Sequence, residues 1–158
     1  MNPNLTVETS AQPRLNYRKA SPKAMAGMMA LQQAANASGL EPSLIELVKL
    51  RASQLNGCAY CIDLHFREAK GKGETDERLY LLSAWEESPG YSDRERAALR
   101  WTEALTRLAG HPVTDEVFEA VRAHFSEEEH VNLTLAIVAI NGWNRFSVGF
   151  KVPPRAVF

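Results

Sequence analysis

No segment of this 158-residue chain alternates polar and apolar residues with the two-residue period of a strand. Apolar positions recur at helical spacing instead, and proline, glycine and capping residues cut them into separate segments. The chain therefore reads as all-α. Ser21-Pro22 opens a helix running to about Ala37, closed by Ser38-Gly39, with proline just inside the start and glycine just past the end. Pro42 starts the next, along which Leu44, Leu47, Val48 and Leu55 recur. Asn56-Gly57 breaks that helix and caps a third, which runs to about Lys70. Thr75 begins a short helix through Trp85. Ser92 to Glu95 and Ser126 to Glu129 are capping boxes, in which the first side chain accepts from a helix amide and the glutamate reaches back. The helix after the first box should end near Leu108, and a shorter one spans Thr114 to about Phe125. The second box opens a last helix through about Phe146, and Pro153-Pro154 forces an extended tail.

A chain of this length is most simply one domain and buries roughly 68–70% of its unfolded surface without disulfide staples. The expected layout is an irregular arm over 1–20, a bundle of about seven helices over 21–150, and a tail over 151–158. The net charge of −1 gives no general pull toward nucleic acid or an anionic membrane. Met1 to Glu8 lacks the basic start and apolar stretch of a signal peptide, and Leu133 to Ile140 is far short of the roughly 20 residues that span a bilayer. A cytoplasmic protein is expected. No GxGxxG or P-loop is present to bind a nucleotide, and no cofactor is expected. The last helix is apolar on most sides, through Val131, Leu133, Leu135, Ile137, Val138, Ile140, Trp143 and Phe146, which fits a central core helix or a subunit interface.

The two cysteines stand together, in Cys58-Ala59-Tyr60-Cys61, with His65 four residues further on. Side chains at i and i+4 of a helix have Cβ atoms roughly 5–6 Å apart, so His65 can reach the Cys61 sulfur directly or through one water. A thiolate needs such a base or positive charge at neutral pH, and a second thiol can resolve a sulfenic acid as a disulfide. Cys58, Cys61, Ile62, His65 and Ala69 should form the inward stripe, with Tyr60, Asp63 and Arg67 pointing elsewhere. Two cysteines can also simply fill core space, but a titratable histidine on the same stripe argues against that. A closed zinc site needs a fourth ligand, which Glu46 or a distant His111, His124 or His130 would have to supply. No metal is expected. Ile62, where a c-type haem motif has its histidine, argues against that group, and no βαβ pattern supports a thioredoxin fold.

Spacing leaves open which sulfur attacks. Cys58 lies in the first turn, where the helix dipole favours a thiolate, whereas Cys61 lies one turn from a base. Glu46 is equally open: composition favours a surface residue, and Pro42 as the first helical residue carries it beyond the first turn.

The stretch from Glu46 to His65, with Arg51, Ser53, Asn56-Gly57 and the cysteine pair, closely resembles the core motif of the AhpD-like alkylhydroperoxidases of the carboxymuconolactone decarboxylase superfamily. The runs Trp101 to Thr106 and Asn141 to Phe146 are similar to a subgroup of that family, so the resemblance covers about 14 to 150. It implies an all-helical fold assembled as a trimer or hexamer. It also implies that Cys61 attacks peroxide, Cys58 resolves, His65 activates the thiol and Glu46 is its proton-relay partner. The residue before the second cysteine is a histidine in the best-studied type and Tyr60 here, a possible relay group that titrates near 10 rather than near 6.5. The decarboxylase branch typically lacks the cysteine pair. The implied activity is reduction of alkyl hydroperoxides or hydrogen peroxide, with an external dithiol or protein as reductant. A thiol–disulfide oxidoreductase and a redox-sensing oligomer are the rival readings.

Overall fold

The structure, a computed structural model, describes residues 12–155, and among them lie eight α-helices and no strand. They are α1 (Tyr17–Ala20), α2 (Pro22–Asn36), α3 (Pro42–Leu55), α4 (Ala59–Gly71), α5 (Asp76–Leu81), α6 (Asp93–Thr106), α7 (Asp115–Arg122) and α8 (Glu127–Gly149), with a 3₁₀ turn over Leu82–Ala84 after α5. Both capping boxes form as expected, at Ser92/Glu95 and Ser126/Glu129. The eighth helix is α1, which falls where an irregular arm was expected. Four residues are too few to hold a helix on their own, whatever their propensity. Tertiary contact supplies the reason: the Tyr17 ring is buried against Phe146 and Phe150, at centroid distances of 5.3 and 5.4 Å. Residues 1–11 of the expected arm lie outside the described residues.

The most enclosed helix is α3, where every residue from Leu44 to Ser53 is buried. It is wrapped by α4, α6 and α8. One side sends Leu44, Ile45 and Val48 into a core completed by Ala98, Leu133, Ala136 and Ile137. The other sends Leu47 and Leu50 into a core with Leu79, Leu82, Trp85 and Leu99. The last helix is a core helix on one face only: Leu133, Ala136, Ile137 and Ile140 are buried, while Val131 is 68% and Val138 52% exposed. On its α2 side, Gly142 allows a close approach, since a Cβ there would lie 2.9 Å from Met28 Cε.

A polar seam joins α3 to α8 beside α4. Asn56 Nδ2 donates to Asn141 Oδ1 at 3.0 Å and to Asn144 Oδ1 at 2.8 Å. The buried Asn144 donates in turn to Ser53 Oγ at 3.0 Å, and Ser53 to the Lys49 carbonyl at 2.7 Å. The seam therefore anchors the end of α3, the point from which the chain turns into the cysteines.

Candidate redox site

That turn is a Schellman motif. Gly57 N–H donates to the Gln54 carbonyl at 3.2 Å and Cys58 N–H to the Ser53 carbonyl at 3.0 Å. Gly57 has φ +63°, a left-handed conformation that glycine adopts without a Cβ penalty. The motif delivers Cys58 as the N-cap of α4 rather than as a residue inside the helix, so Asn56-Gly57 is the end of α3 and not the cap of α4. The Cys58 sulfur accepts from the Cys61 N–H at 3.3 Å, taking the place that a serine or aspartate oxygen usually fills.

The two cysteines are joined as a disulfide, with Cα atoms 5.3 Å apart. Cys58, Cys61, His65 and Ala69 form the buried stripe of α4, as their spacing predicts, with Ile62 half-buried beside them. Only the Cys61 end of the disulfide lines a cavity of about 210 Å³, together with Tyr60, His65, Lys49, Arg18 and Trp143. Tyr60 thus borders the same space as Cys61 rather than pointing away from it, and its hydroxyl accepts from Arg155 Nη2 of the C-terminal tail at 3.4 Å.

Glu46 is fully buried. The surface reading drawn from composition fails because α3 is enclosed on all sides, which its sequence pattern does not announce. Glu46 Oε2 lies 2.9 Å from His65 Nδ1, while Oε1 accepts from Lys72 at 2.6 Å and Lys49 at 3.2 Å. Burial opposes the Glu46 charge, but the His65 hydrogen bond and the two ammonium groups outweigh it and hold the carboxyl at about 2. Burial likewise pushes His65 down, yet hydrogen bonds to Glu46 and Glu68 carry it above 6.5. Against an ionised Glu46, Nδ1 carries the ring proton and Nε2 is left as the basic nitrogen. Lys49, Lys72 and Glu68, the last 3.5 Å from His65 Nδ1, were not singled out from the sequence. Spacing is the signal for two of them, Lys49 three residues after Glu46 and Glu68 three after His65, whereas Lys72, 26 residues from Glu46, carries none.

Glu46, His65 and Glu68 bring ligand atoms within 4.8 Å of one another, the grouping among the described residues best placed for a cation. Two ammonium groups already neutralise Glu46, so the cluster behaves as an ion-pair network. His130, weighed as a zinc ligand, packs edge-on to Trp101 at 4.7 Å and against Phe118 at 5.2 Å in a separate groove.

Among the described residues, an all-helical fold sets a buried Glu–His pair beside a cysteine disulfide. Residues 22–104 match the carboxymuconolactone decarboxylase family, and the chain belongs to it, within the AhpD-like group. The uncharacterized protein YdfG of Bacillus subtilis is 42% identical over 135 residues, spanning 85% of this chain and 92% of its own. A crystal structure of a protein of unknown function from Agrobacterium tumefaciens, assigned provisionally to AhpD antioxidant defence, is 47% identical with a TM-score of 0.90. It covers 92% of this chain and all of that one. The debrominase Bmp8 shares the fold at 20% identity and a TM-score of 0.79, over 87% of this chain and 74% of its own. The fold and the cysteine pair fit a peroxidase-type function. No helix among the described residues is long and apolar enough to cross a membrane.

Proposed function

We propose that the protein is a cysteine-dependent peroxidase that reduces alkyl hydroperoxides or hydrogen peroxide through the Cys58/Cys61 thiol–disulfide cycle. The observation that carries this reading is the opening of Cys61 and His65 onto one cavity, with His65 held from behind by the buried Glu46. In the reduced protein, His65 Nε2 takes the Cys61 proton, and the Glu46 carboxylate stabilises the imidazolium. The thiolate attacks one peroxide oxygen and the O–O bond breaks. The departing alkoxide takes the proton from His65, leaving Cys61 sulfenic acid and an alcohol, or water from hydrogen peroxide. The Cys58 thiol then condenses with the sulfenic acid, releasing water and forming the disulfide. An external dithiol, small or protein-borne, restores both thiols while being oxidised to its own disulfide. No cofactor enters the cycle. The Tyr60 hydroxyl, which accepts from Arg155, keeps its own O–H as a further hydrogen-bond donor at the cavity. The cycle suits a reducing cytoplasm, where such dithiols are maintained.

A second reading, thiol–disulfide exchange with peroxide incidental, is favoured by the capping role of Cys58. A thiol attacking the cavity-facing Cys61 sulfur expels Cys58 as a thiolate already hydrogen-bonded at a helix N-terminus, and a stabilised leaving thiolate departs faster. Steady-state peroxide consumption with excess dithiol, beside reduction of a model disulfide, separates the two. For the peroxidase, one equivalent of peroxide should convert both thiols to an intramolecular disulfide. Cys58→Ser should then trap sulfenic acid on Cys61, and Cys61→Ser should leave Cys58 largely unmodified. Trapping on Cys58 in the Cys61→Ser protein reverses the two roles.

A further inference from the structure

The cavity in front of Cys61 is small and its charges do not balance. At about 210 Å³ it falls below the roughly 300–1,000 Å³ of pockets for drug-sized ligands, so it has no room for a long acyl chain. Glu46 is matched to His65, Lys49 and Lys72, and Glu68 faces His65. Lys49 therefore offers the cavity little net charge. Arg18, at the mouth, is different: among the described residues it makes no ion pair. Its guanidinium is steadied by aromatic rings instead, 5.7 Å from the Tyr17 centroid and 5.6 Å from that of Trp143. Trp143 is itself fixed by donating from Nε1 to Gln32 Oε1 at 3.0 Å. The result, among the lining residues, is one uncompensated cation held on two flat apolar walls, across a short cavity from the reactive sulfur.

Building on the peroxidase reading, we infer that this site selects a small monoanionic hydroperoxide, one whose carboxylate pairs with Arg18 while its apolar body lies along Tyr17 and Trp143 and its O–O bond reaches Cys61. A planar guanidinium whose N–H groups have no partner among the described residues suits a carboxylate in a two-pronged pair. One unmatched positive charge suits one negative charge, which favours a carboxylate over a doubly charged phosphate. Periodicity carries no hint of this, because Arg18 lies in the segment that reads as an irregular arm.

The test compares 4-(2-hydroperoxypropan-2-yl)benzoate with its methyl ester, a pair differing in charge and little in shape. The readout is the second-order rate of thiol loss in the reduced full-length protein, which no reductant step can limit. A hydrogen bond to a charged group contributes about 1.5–3 kcal/mol, so the carboxylate should react roughly 10–100-fold faster than the ester. In Arg18→Gln the ratio should fall to near one, and Arg18→Lys should retain part of it. The ratio is internal to each variant, so partial misfolding cannot mimic the effect. Equal rates in the wild type, or a preference that survives in Arg18→Gln, overturn the inference. If no peroxide, hydrogen peroxide included, oxidises Cys61, the peroxidase reading fails and anion selection is decided by alkylation. The iodoacetate-to-iodoacetamide rate ratio at Cys61, mapped by mass, should then fall about tenfold or more from wild type to Arg18→Gln. An unchanged ratio removes Arg18 as an anion site under either activity.

Discussion

Replacing Glu46 by glutamine tests the site most sharply, because the two residues have nearly the same shape and differ in charge. The carboxylate accepts from three donors through two oxygens and has no exposure to water. An amide has only one oxygen. If that oxygen faces Lys49 and Lys72, the NH₂ faces His65 Nδ1, which can accept only in the other tautomer. The ring proton then sits on Nε2, and His65 can no longer take a proton from Cys61. If the amide turns round, two ammonium groups face an N–H donor. Removing one partner of a buried ion pair costs about 3–5 kcal/mol. Lys72 is partly exposed and can turn to water, and His65 can become neutral, so about 2–4 kcal/mol is expected here. The depressed Glu46 carboxyl gives a similar figure: moving it from 4.5 to about 2 corresponds to about 3 kcal/mol in favour of the ionised form. The reactive thiol should slow by about 10²–10⁴-fold at neutral pH, the range typical of a general acid–base group. The assay is the pH profile of Cys61 alkylation in a Cys58→Ser background, read beside the urea midpoint of each protein. Both Glu46→Gln and His65→Gln should move the profile to higher pH, His65→Gln further. A Glu46→Gln profile superimposed on wild type would refute the relay, whatever the stability, and leave Glu46 as scaffold.

The same ion pair sets the acid limit of stability. A carboxyl lowered on folding stabilises above its unfolded value of 4.5, and its contribution is lost as pH falls toward about 2. His65, raised on folding, stabilises below 6.5 and loses that contribution as pH climbs through its higher folded value. The wild-type urea midpoint should therefore drop between pH 4.5 and about 2, and this limb should flatten in Glu46→Gln; parallel curves would show that other carboxylates dominate. Asn144→Leu, which strips the buried seam of its hydrogen bonds to Asn56 and Ser53, should lower the urea midpoint by an amount equivalent to about 1–3 kcal/mol. An unchanged midpoint would mean the seam contributes nothing net. Light scattering at micromolar concentration should give a trimer or hexamer, with the exposed Val131 and Val138 face of α8 covered by a neighbour. A monomer would leave α8 as a core helix with a solvated outer face.

What the sequence determined by itself was local. Proline and glycine positions and the two capping boxes place seven of the helices, because a cap is read within four residues of itself. The i, i+3, i+4 stripe of Cys58, Cys61, His65 and Ala69 is likewise a property of one helix, and it is buried as its spacing requires. The structure decided what depends on partners remote in the chain. Helix α1 exists because Tyr17 finds Phe146 and Phe150, more than a hundred residues away. Enclosure of α3 takes three other helices, and only that enclosure turns Glu46 from a plausible surface residue into a buried carboxylate with three donors. Composition prices a glutamate at its average, in water. Tertiary packing removed the water and supplied the compensating charges, which is why the chemistry of Glu46 could be suggested by resemblance but read only from the fold.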